Sequence, residues 1–153
     1  MSNKYFDDFK VGQTFRTHGK TISEAEILQF AMVYDPQPLH MNKVTAEAGN
    51  HGGLISSGFQ TISLSFSLFF RLGLLDVSNL GSPGFDELRW LKPVRPDDTI
   101  WSEIEVTEVR PSRSKPDRGI IVMEHRTINQ HDEVVMTLSC MHMLRKRLPD
   151  DPD

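Results

Sequence analysis

The chain has 153 residues, of which 38% are hydrophobic and 25% charged, a length and balance that fit one globular domain with one core. Its single cysteine, Cys140, excludes an internal disulfide framework and any multi-cysteine zinc site, and suits a reducing compartment. With 17 basic against 21 acidic residues, a net charge of -4 and a pI near 5.8, there is no cationic excess to draw the protein onto phosphate backbones, so no nucleic-acid partner is expected.

Near the N-terminus, Phe6-Asp7-Asp8-Phe9 stands where a secretory leader needs an uninterrupted apolar stretch, and a cytoplasmic location is expected. A strand is predicted over Thr14 to Thr21. Ser23 then offers a helix cap, with Glu26 three residues later to complete a capping box and Ile22 placed to staple to Ile27. Ile27, Phe30, Ala31 and Tyr34 recur at helical spacing as one apolar face, and Asp35 before Pro36 and Pro38 ends the helix. Asp35 to His40 reads as a rigid, extended turn.

The longest uncharged run, Gly52 to Phe70, holds five serines, three glycines, Gln60 and Thr61, too polar for a membrane span, so no membrane partner is expected. Its period is ambiguous, because Ile62, Leu64, Phe66 and Leu68 alternate like a strand while Phe59, Ile62, Phe66, Phe69 and Phe70 fit a helix. Its length, the entrance at Ser56-Ser57-Gly58 and an exit near Gly73 decide for a helix, apolar on most sides and wrapped by other structure. From Phe85 onward the chain reads as strands: Phe85 to Trp90, Thr99 to Arg110 with Ile100, Ser102, Ile104 and Val106 on one side, then Gly119 to Asn129 and Glu133 to Leu144 as a hairpin. The whole is an α+β pattern forming a single domain over residues 1–147, with residues 148–153 an unstructured tail.

The six histidines make no metal-ligand spacing with one another or with carboxylates, so no metal is expected, and dinucleotide, nucleotide-phosphate and nucleophile-elbow motifs are absent from the sequence. What remains is Tyr34-Asp35-Pro36-Gln37-Pro38-Leu39-His40. A carboxylate and an imidazole on a segment stiffened by two prolines suit acid-base chemistry on one small substrate. Spacing alone leaves open a plainer reading, in which Asp35 caps a turn and His40 lies on the surface.

The stretch YDPQPLHMNKVTA, Tyr34 to Ala46, resembles the hydratase motif of MaoC-like enoyl-CoA hydratases. Asp35, Pro38, Leu39, His40 and Ala46 match it, whereas Tyr34 replaces the usual glycine and Gln37 the usual asparagine. Gly52-Gly-Leu-Ile-Ser-Ser-Gly58 and Gly84-Phe-Asp-Glu-Leu-Arg-Trp90 through Pro96 are similar to later landmarks of the family, in the same order. The resemblance implies a hotdog fold, a curved antiparallel sheet wrapped around a long central helix. It also implies reversible hydration of a trans-2-enoyl-CoA to an (R)-3-hydroxyacyl-CoA, with no cofactor and with the coenzyme A thioester as substrate.

In that reading Asp35 and His40 are the catalytic pair, the backbone amide of Gly58 is the oxyanion donor, and Gln37 and Ser57 support them. A homodimer or higher homo-oligomer is implied. Gly58 also has a plainer reading as a packing glycine. Two other functions stay open: a non-catalytic acyl-thioester-binding or partner subunit, and a hotdog thioesterase, although the latter wants a carboxylate on the central helix and Ser57 to Phe70 has none. Arg110, Arg113, Lys115 and Arg118 are candidates for coenzyme A phosphates, with a solvated loop as the plainer reading.

Overall fold

The computed structural model describes residues 3–151. Three long strands, β4 (Thr99–Pro111), β5 (Arg118–Asn129) and β6 (Val134–Arg145), form an antiparallel meander. Two short strands, β1 (Thr14–Arg16) and β2 (Lys20–Thr21), pair with β4 on one side, and β3 (Phe85–Trp90) pairs with β6 at the other edge. The expected single strand over Thr14 to Thr21 is thus broken. At the break Thr17 takes over the pairing, donating its N–H to Ser102 O at 2.9 Å and accepting the N–H of Ser102 on its hydroxyl at 2.8 Å.

Helix α1 (Glu24–Tyr34) starts as its sequence dictates: the Ser23 hydroxyl accepts from Glu26 N, and Glu26 reaches back to the Ser23 N–H. Ile22 and Ile27 are fully buried, as is Ala31, but Tyr34 is 70% exposed and leaves the apolar face, resting on Phe30 at 4.9 Å between ring centroids. The segment read as an extended turn contains one helical turn, α2 (Pro38–Met41), followed by α3 (Lys43–Ala48). Proline is well suited to the first position of a helix, since its fixed φ fits and its missing N–H has no intrahelical partner to lose. That places His40 on a helical turn.

The ambiguous run resolves as α4 (Gly58–Phe70), capped by Ser57 and followed by Gly73 at φ +66. One side of α4 packs on the sheet, and there its polar groups are met: the Ser65 hydroxyl lies 2.8 Å from Ser102 Oγ and accepts from Thr127 Oγ1 at 3.1 Å. The sheet covers one flank of α4 and α1 meets it through Gln60 Nε2, which donates to Glu26 O at 3.0 Å, while Phe59 stays 62% and Phe70 37% exposed.

β4 buries Ile100, Ser102, Ile104 and Val106 as its alternation requires, and Met123 and Met136 join the core while Met141 and Met143 do not. Strand β3 carries a feature the sequence did not announce: its register against β6 shifts between Asp86 and Arg89, where Glu87 adopts φ +56. Two buried histidines, His125 and His142, have no hydrogen-bond partner among the described residues on any of their ring nitrogens. Among the residues considered for phosphate binding, Arg110 pairs with Glu108 and Arg118 with Asp117. In the tail expected to be unstructured, Asp151 receives the N–H of Leu148 and pairs with Arg145, while residues 152 and 153 lie outside the described residues. No helix among the described residues is long and apolar enough to cross a membrane.

Candidate active site

Asp35 is the residue at which α1 stops. Its N–H still donates to Ala31 O at 3.0 Å, but its own backbone has left helical geometry because Pro36 follows. The carboxylate, with the side chain 13% exposed, is held by two donors: Ser57 Oγ to Oδ2 at 2.6 Å and Gln37 Nε2 to Oδ1 at 2.7 Å. The longer amide of Gln37 therefore reaches the carboxylate. These two hydrogen bonds, with the nearby His40 ring adding a smaller pull, keep the Asp35 carboxyl below the usual carboxylate range against the opposing effect of partial burial. It is an anion at neutral pH.

His40 is buried on α2, and its Nδ1 lies 2.8 Å from Ile55 O. A carbonyl only accepts, so Nδ1 carries a proton, and in the neutral form of the ring Nε2 is a bare acceptor. That Nε2 lies 3.4 Å from Asp35 Oδ2. Two acceptors thus face one point, an arrangement made for a group that can donate to both. The Ile55 carbonyl is fixed in turn, since the segment Leu54 to Ser57 is stitched to α2 by Ile55 N donating to Leu39 O at 3.3 Å and to the following loop by Ser56 N donating to Val94 O at 2.7 Å.

Ser57 joins the pair to α4. Its hydroxyl donates to Asp35 and also accepts the N–H of Phe59 at 3.2 Å, capping the helix. Gly58 is the first residue of α4, at the positive end of the helix dipole, and no acceptor among the described residues takes its N–H. The packing reading of Gly58 holds as well, because a Cβ there would come within 2.5 to 2.7 Å of the Trp90 indole. Asp35, His40, Gly58, Thr61, Trp90 and Val94 line one cavity of about 420 Å³. The sequence-predicted Asp35, Gln37, His40, Ser57 and Gly58 are all brought together. The Ile55 carbonyl was missed, and Trp90 was legible as a strand residue packing on the core or a partner, with stacking on substrate the less favoured reading. A carbonyl has no residue-type signature, and the facing of Trp90 depends on an irregularity in β3.

Ser57→Ala removes both the donor to Asp35 and the cap of α4, and is expected to destabilise the protein by about 1–2 kcal/mol at pH 7. The depressed Asp35 pKa contributes stability present above the unfolded-state value and lost as pH falls through the folded one. The gap between parent and variant in urea midpoints should therefore narrow on acidification.

An antiparallel sheet laid over one helix, with a carboxylate-imidazole pair at the helix entrance, defines an α+β hotdog domain. The chain belongs to the family of the MaoC like domain, whose profile matches residues 8–128. It is 32% identical over 126 residues to YdeM of Bacillus subtilis, covering 82% of this chain and 88% of that protein. It is 30% identical over 119 residues to a protein named (R)-specific enoyl-CoA hydratase from Rhodospirillum rubrum, covering 71% and 74% respectively. The crystal structure of a MaoC-like dehydratase from Rhodospirillum rubrum superposes with a TM-score of 0.86 at 30% identity, covering 95% of this chain and 99% of that one.

Proposed function

We propose that the protein is an acyl-thioester hydro-lyase that adds water reversibly across the double bond of a trans-2-enoyl-CoA, giving an (R)-3-hydroxyacyl-CoA. The observation that carries this reading is the 3.4 Å approach of His40 Nε2 to Asp35 Oδ2 on the wall of a cavity that also contains the entrance of α4 at Gly58. A water seated between the two acceptors donates one proton to each, leaving an oxygen lone pair free to attack C3 of the enoyl group. As the bond to C3 forms, His40 takes a proton from the water. The electrons of the double bond move toward C2 and the thioester oxygen, where the Gly58 N–H and the dipole of α4 stabilise the developing charge. The ionised Asp35 steadies the imidazolium, and the proton is then delivered to C2 from the same face. Dehydration runs the same steps backwards.

No cofactor enters this scheme, since water and the thioester supply every atom that moves. The hydrogen bond from Gln37 to Asp35 supports a working pair over a drifted one. The relative named (R)-specific enoyl-CoA hydratase supports both the substrate class and the stereochemistry. The protein works in the cytoplasm as a homodimer, which would cover Phe59, Phe70, Phe85 and Trp90 on the open flank of α4 and the edge strand. Light scattering is expected to give about twice the 17.5 kDa chain mass. The test of the activity is loss of enoyl absorbance with crotonyl-CoA and longer trans-2-enoyl-CoAs; no turnover with any of them overturns it.

A further inference from the structure

In a regular strand, residues five positions apart point to opposite faces, yet Phe85 and Trp90 both face α4. The cause is the register shift. Phe85 pairs with Cys140 and Trp90 with Met136, both inward residues of β6, while Glu87 and Leu88 together stand opposite the single residue Leu138. Glu87, at φ +56, is in the left-handed region that a residue with a Cβ enters only at a cost. Without this bulge, Trp90 would point away from the helix.

Where the bulge aims it, Trp90 meets the first turn of α4 in three ways. Its ring occupies the space a Cβ on residue 58 would need, with ring atoms 2.5 to 2.7 Å from that position. Its Nε1–H donates to Gly58 O at 3.1 Å. Its ring meets that of Phe59 in a T-shaped contact, with 6.4 Å between centroids. The peptide units on either side of Gly58 are therefore clamped between Ser57, which is bonded to Asp35, and Trp90. The indole is 49% exposed and forms part of the same cavity wall as Asp35 and His40.

We infer that Trp90 is a positioning residue: it fixes the Gly58 peptide so that the amide at the entrance of α4 stands ready for the thioester oxygen. The role rests on the hydration reading above. A preorganised donor costs no reorientation when charge develops, whereas a loose first turn would have to pay for ordering at each turnover. Losing the clamp should therefore lower kcat more than it raises KM.

The experiment compares Trp90→Ala, Trp90→Phe and a Trp101→Phe control, by steady-state kinetics with crotonyl-CoA and by hydrogen exchange of residues 55–62 without substrate. Trp90→Ala is expected to lower kcat by about tenfold or more with KM changed less than about threefold, and to speed exchange of the 58–61 amides by about tenfold. Trp90→Phe, which keeps the ring and loses the N–H, should recover most of both effects. Trp101→Phe should change neither. Parental exchange rates in Trp90→Ala, or an unchanged kcat, overturn the inference. If the parent itself does not turn over any enoyl-CoA, the hydration reading fails, and the exchange data alone decide whether Trp90 holds the turn.

Discussion

Replacing His40 with alanine is expected to lower enoyl-CoA hydration by about three orders of magnitude, within the roughly hundred- to ten-thousand-fold range of a lost general base. Among the described residues the next acceptor at the same point is the Asp35 carboxylate, held below its ordinary pKa by Ser57 and Gln37 and so a weak base. Asp35→Asn should cost a similar factor for a different reason. The amide can keep one hydrogen bond, but it removes the anion beside the imidazole and places a donor or a neutral carbonyl where the water needs an acceptor. Because both groups act on the water and its proton and not on the thioester carrier, KM should move less than kcat. Full activity in either variant would remove that residue from the mechanism, and His40→Gln, which can still accept a proton-bearing group but cannot carry its proton, should be as inactive as alanine.

A second large effect lies away from the chemistry. His125 and His142 are buried between the sheet and Phe66, Phe69 and Phe70, with His125 stacked on Phe66 at 5.5 Å and 10° between planes. Burial pushes His125 down to about 3, with His142 adding a smaller repulsion, and burial pushes His142 down to about 4. Both are neutral in the fold, whereas the unfolded chain protonates them near 6.5. Above that pH the two states bind no different number of protons here. As pH falls toward the folded-state values the unfolded state alone gains protons, so stability falls by up to about 1.4 kcal/mol per pH unit for each ring.

By pH 5 the pair should have removed about 4 kcal/mol, a large share of the 5–15 kcal/mol that holds a typical domain together. A steep loss of stability is expected as pH falls from about 6.5 to 5, and His125→Phe should roughly halve the pH slope of the urea midpoint while leaving neutral stability equal or higher, since two unpaired ring nitrogens go with it. An unchanged slope in that variant would show that other groups govern the acid response.

The elements most legible in the sequence were those specified locally. Ser23, Glu26 and the two isoleucines define the start of α1 without help from elsewhere, and Asp35 with its prolines defines the end. The long strands followed from strict alternation at Ile100, Ser102, Ile104 and Val106. The pairing of Asp35 with His40 was legible through the spacing and the family motif, although the helical turn that delivers His40 was not, because a four-residue helix leaves no periodicity to read. What stayed hidden depends on partners distant in the chain. The bulge at Glu87 is a register choice against β6, Tyr34 is turned outward by how α1 lies on the sheet, and the open flank of α4 exists because one sheet covers only one side.

The hydroxyl contacts beneath α4 bear on the order in which the molecule assembles. A helix of Phe, Ser and Thr opening on glycine has little intrinsic tendency to form alone, and the groups that satisfy Ser65 arrive 37 and 62 residues later in the chain. During synthesis this segment emerges before any long strand it will pack on. The central helix is therefore expected to form on the sheet and not to template it, with the 58–70 segment gaining protection from hydrogen exchange only once β4 and β5 have paired.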